Sequence, residues 1–185
     1  MSSTRSRPGI LVAVAAGAGA FGAAAMMAVS APTARADDTT QIIDAIQGDY
    51  AAGQADLTTS LANFGHGDFV GGLAELLNSG NEYTLAPVDN LLLGGVEALE
   101  GDPITSSLYF DDLYNPGTFA NAVAQAQEWF TQGEAFLVNG ADALSAGDYG
   151  AGTDLDLAGS ATAFVLPAEE LLLGALAALD PVATE

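Results

Sequence analysis

Apolar residues recur along the chain at steps near three, four or seven, the spacing of one face of an α-helix. In the first half this face comprises Ile43, Ile46, Tyr50, Leu57, Leu61 and Phe64. In the second half it comprises Phe119, Val123, Phe130, Leu137 and Leu144. The pattern predicts long amphipathic helices in both halves and therefore an all-α protein.

The second half repeats the first without gaps, at a constant offset of 80 residues. Gly53 aligns with Gly133 and Pro87 with Pro167, and Leu91-Leu-Leu-Gly94 recurs as Leu171-Leu-Leu-Gly174. An internal repeat of this kind fixes the architecture before any local pattern is considered. It predicts two copies of one helical hairpin: unit one at residues 39–100 and unit two at residues 119–180, joined by a connector at residues 101–118.

Each unit contains a Gly-Asp-aromatic element, Gly67-Asp68-Phe69 in unit one and Gly147-Asp148-Tyr149 in unit two. Glycine ends helices in the left-handed conformation, and aspartate caps the N-terminus of the next helix. We therefore expect a short turn that makes each hairpin antiparallel. The predicted fold is a four-helix up-down bundle.

The second helix of each hairpin contains a proline, Pro87 or Pro167, followed two positions later by an acidic residue. This arrangement is typical of a helix start, so helices 2 and 4 are predicted to be kinked or broken before their prolines. The polar stretch Asn78-Ser-Gly-Asn81 favours a break in unit one. The leucine triplets after the prolines predict helices that are buried on more than one side.

The N-terminal residues resemble an export signal. Arg5 and Arg7 precede an uncharged Ala/Gly/Val-rich run at residues 9–29, and Ala34-Arg35-Ala36 has the small-x-small pattern of a signal peptidase site. We expect residues 1–36 to be a Sec-type signal peptide cleaved near Ala36, with an uncleaved membrane anchor as the alternative. Residues 37–185 then form a single exported domain, which is extracellular or in the cell envelope.

The charge balance narrows the possible partners. All three arginines precede residue 37, the chain has no lysine, and 24 acidic residues remain beside one histidine. Neutralising phosphate requires Lys or Arg, so the sequence excludes nucleic-acid binding and charge-driven attachment to anionic membranes. A cationic partner, divalent cations or simple solubility are left open. Mutual repulsion predicts raised carboxyl pKa values, a stability that falls as pH rises, and stabilisation by salt.

Candidate chemistry is sparse. His66 is the one possible base, with Asp68 two residues away, but its aligned residue in unit two is Ala146. The carboxylate pairs fit no calcium loop, and without cysteine a zinc or copper site is disfavoured. The sequence predicts no catalytic site, no cofactor and no metal.

The aromatic residues are the candidate contacts for a partner or an apolar ligand: Tyr109, Phe110, Tyr114, Trp129 and Phe164. Those of the connector either cover the end of the core or form a binding lip. The predicted function is a non-enzymatic exported protein that acts through protein contacts, with its oligomeric state open. The alternative is a carrier that holds an acyl chain or similar apolar ligand between the hairpins, against a filled core.

Three short sequence stretches resemble those of a known group of proteins. The stretches Ala34–Asp38, Ala143–Tyr149 and Glu169–Gly174, together with the lysine-free composition, resemble uncharacterised exported Ala/Gly/Leu-rich helical proteins of mycobacteria. The resemblance implies a helical exported protein and brings no catalytic or binding residues. The chain differs from the PE and PPE proteins, since it has neither a Trp-x-Gly motif nor a Tyr-x-x-x-Asp/Glu pair.

Overall fold

A computed structural model describes residues 36–104 and 112–179, and this part of the chain is helical with no strand. Its helices are α1 (Ala36–His66), α2 (Phe69–Glu100), α3 (Phe119–Ala146), α4 (Tyr149–Ser160) and α5 (Leu166–Ala177), with a π-helical segment (Ala161–Val165) that joins α4 to α5. The predicted all-α class is confirmed. The predicted signal sequence, apart from Ala36, lies outside the described residues.

The two predicted Gly-Asp turns form as expected. Gly67 and Gly147 adopt left-handed backbone angles, with φ of 86° and 88°. The Asp68 carboxylate accepts a hydrogen bond from the Gly71 amide at 2.8 Å, and that of Asp148 accepts one from the Ala151 amide. Each turn thus ends one helix and caps the next within two residues, which sends the chain back along itself.

The prolines act differently in the two halves. Helix α2 runs from Phe69 to Glu100 without interruption and includes Pro87, so the expected break at residues 78–81 is wrong. The amides of Asn78 and Asn81 do not interrupt the helix, because they donate to groups on other elements. In the second half the π-helical segment lies directly before Leu166 and Pro167.

Packing pairs the helices in chain order. Helix α1 packs along α2, and α3 packs along α4, the π segment and α5. The two pairs meet where α2 contacts α4 and α5.

Glycine allows the paired helices to approach closely. A Cβ atom at Gly133 would overlap the backbone of Ala163, and one at Gly53 would lie 3.2 Å from the Ser79 carbonyl oxygen. Both glycines lie in helix interiors, where they cost about 1 kcal/mol relative to alanine. The absence of a side chain at these two positions therefore allows the paired helices to pack closely.

The leucine triplets contribute one buried side chain each. Leu93 and Leu173 are buried, whereas Leu91 and Leu171 are 44% and 38% exposed. The expectation that these helices are buried on several sides holds for α2, in which every residue from Leu93 to Ala98 is buried. It is wrong for α5, whose buried residues form one stripe. The main core cluster consists of Val70, Ala74, Leu113, Trp129, Leu166, Leu173 and Ala177.

Candidate functional site

A groove with a volume of about 490 Å³ lies between the connector, α3 and α5. Its polar and aromatic lining consists of Asp112, Tyr114, Asn115, Asn121, Gln125, Trp129 and Glu170. The volume falls in the range of sites that bind small molecules or single side chains of a partner. We treat this groove as the candidate functional site.

The connector side of the groove is anchored by one buried leucine. The Asn78 amide nitrogen donates to the Leu113 carbonyl at 3.1 Å, and the Leu113 amide donates to the Asn78 side-chain oxygen at 2.9 Å. Leu113 is 1% exposed. Its two neighbours, Asp112 and Tyr114, are thereby held at the groove although both are exposed.

The α3 side is built by helical spacing. Asn121, Gln125 and Trp129 follow one another at intervals of four residues, which places them on one face. The start of the helix is tied to the connector, since the Asn121 side chain donates to the Pro116 carbonyl at 3.0 Å and Thr118 caps the Asn121 amide. The α3 side of the groove is therefore joined directly to the connector side.

Glu170 is the buried charge of the groove. It is 4% exposed, and its carboxylate makes no hydrogen bond within the described part of the chain. No fully enclosed side-chain nitrogen or oxygen among the described residues lacks a partner, so its carboxylate keeps access to the groove. Burial raises the pKa of Glu170 above its ordinary value. The adjacent Glu169 differs, because it accepts a hydrogen bond from Asn81 at 3.0 Å.

The repeat offset relates the groove to a closed pair in the first half. Trp129 aligns with Asp49, and Glu170 aligns with Asn90. In the first half the Asn90 amide donates to the Asp49 carboxylate at 2.7 Å, and both residues are buried. At the same two positions in the second half, the carboxylate has no amide partner and lines a groove.

A group of carboxylates surrounds that closed pair. Burial, reinforced by the charge of Asp49, raises the pKa of Asp89 to about 7. Burial and the charges of Asp49, Asp56 and Asp112 raise the pKa of Glu82 to about 7. Within residues 36–104 and 112–179, no three His, Cys, Asp or Glu side chains are arranged to hold a metal ion. The described geometry therefore gives no reason to assign these acids to a cation site.

The predicted contact residues are distributed unevenly. Tyr114 and Trp129 line the same groove, whereas Phe164 is 53% exposed in the π segment and is not among the residues that line it. Tyr109 and Phe110 lie outside the described residues. Glu170 was not predicted from the sequence, and the signal that could have found it is its alignment with Asn90 in a chain without lysine.

The second half also contains the most apolar long helix of the described chain. The stretch Tyr149–Ala177 is long and apolar enough to cross a membrane, with a mean hydropathy of 1.4 in its most apolar window. It packs against α2 and α3, and the core helix of a soluble protein meets the same criteria. No protein-family model matches the chain, and no significant match was found among curated proteins or solved structures.

Proposed function

We propose that the chain is a non-enzymatic exported protein that acts through protein contacts, and that the groove is its contact site. The observation that carries this proposal is Glu170, which is 4% exposed, lines the groove and makes no hydrogen bond to any other described residue. A buried charge without a partner costs free energy. A partner that supplies a donor would remove this cost, so the arrangement favours binding.

Export rests on the N-terminal pattern of two arginines, an apolar run and Ala34-Arg35-Ala36. The protein recovered from the medium should begin at Asp37, and N-terminal sequencing tests this. An intact N-terminus in the membrane fraction would instead favour the anchor.

The proposed architecture is an up-down bundle made of two related hairpins. It is supported by packing pairs that recur at the offset of 80 residues. A Cβ at Gly72 would overlap Phe64, and one at Gly152 would overlap the aligned Leu144. In the same way, Gly94 faces Ile42 and Gly174 faces the aligned Ala122. Shared contacts at shared positions favour two copies of one structural unit.

Photo-crosslinking at the groove tests the contact function. A photoreactive phenylalanine replaces Tyr114, which is 68% exposed. In a control it replaces Tyr149, which is 55% exposed at the start of α4. We expect one discrete crosslinked protein from position 114 and not from position 149, in cells of a mycobacterial host. No product from position 114, or the same product from both positions, would contradict the proposal.

Native mass spectrometry of the secreted protein separates this function from the alternative carrier function. A mass equal to residues 37–185 alone is expected for a protein that acts by contact. A persistent additional mass, lost on denaturation, would identify an apolar ligand and favour the carrier. The same spectrum gives the oligomeric state.

A further inference from the structure

We propose that the groove binds an alkylammonium group, the end of a lysine side chain in the partner protein. This inference rests on the proposed function and specifies what the groove recognises.

The charge of the groove is suited to a cation. Asp112 and Glu170 both line it, and the chain has no lysine or arginine from residue 36 onward. An ammonium group carries three donors and a full positive charge, and its hydrogen bonds to carboxylates are stronger than neutral ones. It would also favour the ionised form of Glu170, whose pKa is raised by burial.

The rings of the groove suit the same group. Trp129 is 6% exposed and Tyr114 stands at the surface, and both line the groove. Aromatic faces attract ammonium groups, and tryptophan does so most strongly. The four-carbon stem of a lysine would pack on the apolar ring surface while its charged end reaches the carboxylate.

A peptide lysine satisfies more of the groove than a free amine does. The Trp129 indole N–H has no hydrogen-bond partner within the described part of the chain, and the Gln125 amide also lines the groove. These groups can donate to the carbonyls of a peptide backbone, whereas a simple alkylamine offers no acceptor. A lysine within a polypeptide is therefore the favoured source of the ammonium group.

The first half shows how the same position is satisfied internally. There Asn90 donates to Asp49 at 2.7 Å. The aligned pair, Glu170 and Trp129, contains a carboxylate but no side-chain amide to pair with it. In unit one the hydrogen-bond donor is the Asn90 amide of the same unit. In unit two we expect the partner protein to supply the donor.

Trp129 provides a direct readout, because it is the only tryptophan of the chain. We would titrate the secreted protein at pH 8 and follow the single indole N–H signal by NMR and the tryptophan fluorescence. The probes are Nα-acetyl-lysine N-methylamide, its neutral Nε-acetyl derivative, and butylammonium. We expect a saturable response to the lysine probe and at least a tenfold weaker response to the Nε-acetyl derivative.

Variants of adjacent glutamates provide the matched control. Glu170→Gln removes the charge with little change of shape and should weaken lysine-probe binding at least tenfold. Glu169→Gln removes the neighbouring charge, which is bonded to Asn81, and should leave binding within about twofold. Asp112→Asn, at an exposed position, is a second test if Glu170→Gln fails to fold, and should weaken binding several-fold.

The outcomes separate this inference from the proposed function. Equal binding of the neutral probe, or unchanged binding by Glu170→Gln and Asp112→Asn, would overturn the ammonium assignment. Equal binding of butylammonium would support the ammonium chemistry and overturn the assignment to a peptide. A crosslinked partner at position 114 without any lysine-probe response would overturn only this inference. A probe response without a crosslinked partner would count against the proposed function alone.

Discussion

The side-chain amide of Asn78 hydrogen-bonds to both backbone polar groups of Leu113, 35 positions away in the chain. The side-chain amide thus pairs with the Leu113 backbone as a second backbone amide would, and it links α2 to the connector. The Leu113 side chain, 1% exposed, fills the core next to this contact. One residue of a helix thus fixes the segment that carries the lining residues Asp112 and Tyr114.

Replacing Asn78 should loosen this attachment. In Asn78→Ala the buried amide and carbonyl of Leu113 lose their partners, and each unsatisfied group costs about 1–3 kcal/mol. We expect the free energy of unfolding, measured in urea, to fall by roughly 2–4 kcal/mol. As a control, Asn121→Ala removes an exposed hydrogen bond to Pro116 and should cost under about 1 kcal/mol. Similar losses in both variants would mean that the Leu113 contact has no special role.

Two glycines in helix interiors should respond oppositely to alanine. In Gly133→Ala the new methyl group would collide with the backbone of Ala163, whereas at Gly48 no atom lies within 4 Å of the new Cβ. We expect Gly133→Ala to destabilise by several kcal/mol, on the order of an overpacked core. Gly48→Ala should stabilise by about 1 kcal/mol through helix propensity. Thermal melts of both variants test the pair, and a stable Gly133→Ala protein would contradict the close packing.

Stability should decrease as pH rises from about 4 to about 7. The pKa values of Glu82 and Asp89 are raised to about 7 in the folded protein, mainly by burial, whereas unfolded carboxyl groups titrate near 4. In this window the folded state binds more protons than the unfolded chain, so the free energy of unfolding falls with pH and levels off above about 7. Urea titrations at successive pH values, with and without added salt, measure this. A stability that rises from pH 5 to 8 at low salt would contradict it.

Asp89 allows this pH dependence to be assigned to one residue. Asp89→Asn removes a buried charge and should raise the free energy of unfolding at pH 8 by on the order of 1–3 kcal/mol. The same variant should have little effect at pH 4, where the carboxyl group is protonated in the folded state. The exposed Asp44 serves as control, since Asp44→Asn should change stability by under about 0.5 kcal/mol at either pH.

The two aspartate caps should contribute equally if the hairpins are related. Asp68 accepts from the Gly71 amide and Asp148 from the Ala151 amide, at distances of 2.8 Å and 3.1 Å. Removing either cap by alanine should cost about 1 kcal/mol. Because the caps lie in different turns, the double variant should show nearly additive losses. A loss in only one variant would mean that the two turns are not equivalent.

Local patterns predicted the helices and turns well, because their causes lie within a few residues. The steps of three and four gave the helical class, and the Gly67-Asp68 pair gave the turn through φ and capping preferences. The prolines were harder to interpret. Pro87 removes one backbone donor, and the sequence alone does not show that α2 continues through it while packed along α1.

The groove could be predicted only in part. Tyr114 and Trp129 were among the predicted contact residues, but their proximity depends on Leu113 being held by Asn78 across 35 positions. Glu170 follows another glutamate in the chain, and no periodicity distinguishes the one that pairs with Asn81 from the one that faces the groove. Contacts between residues so far apart in the chain arise from tertiary packing, so local sequence patterns do not predict them.

The π segment (Ala161–Val165) separates two helical phases. A turn that accommodates one additional residue rotates everything after it by about 100° relative to an uninterrupted α-helix. Helix α2 has no such turn, yet Gly94 faces Ile42 and Gly174 faces the aligned Ala122, so the second half keeps this contact with the π segment present. Deleting one residue from the π segment should therefore turn Glu170 out of the groove without altering any groove side chain. The length of the π segment, and not any groove residue, would then set the direction in which the Glu170 carboxylate points.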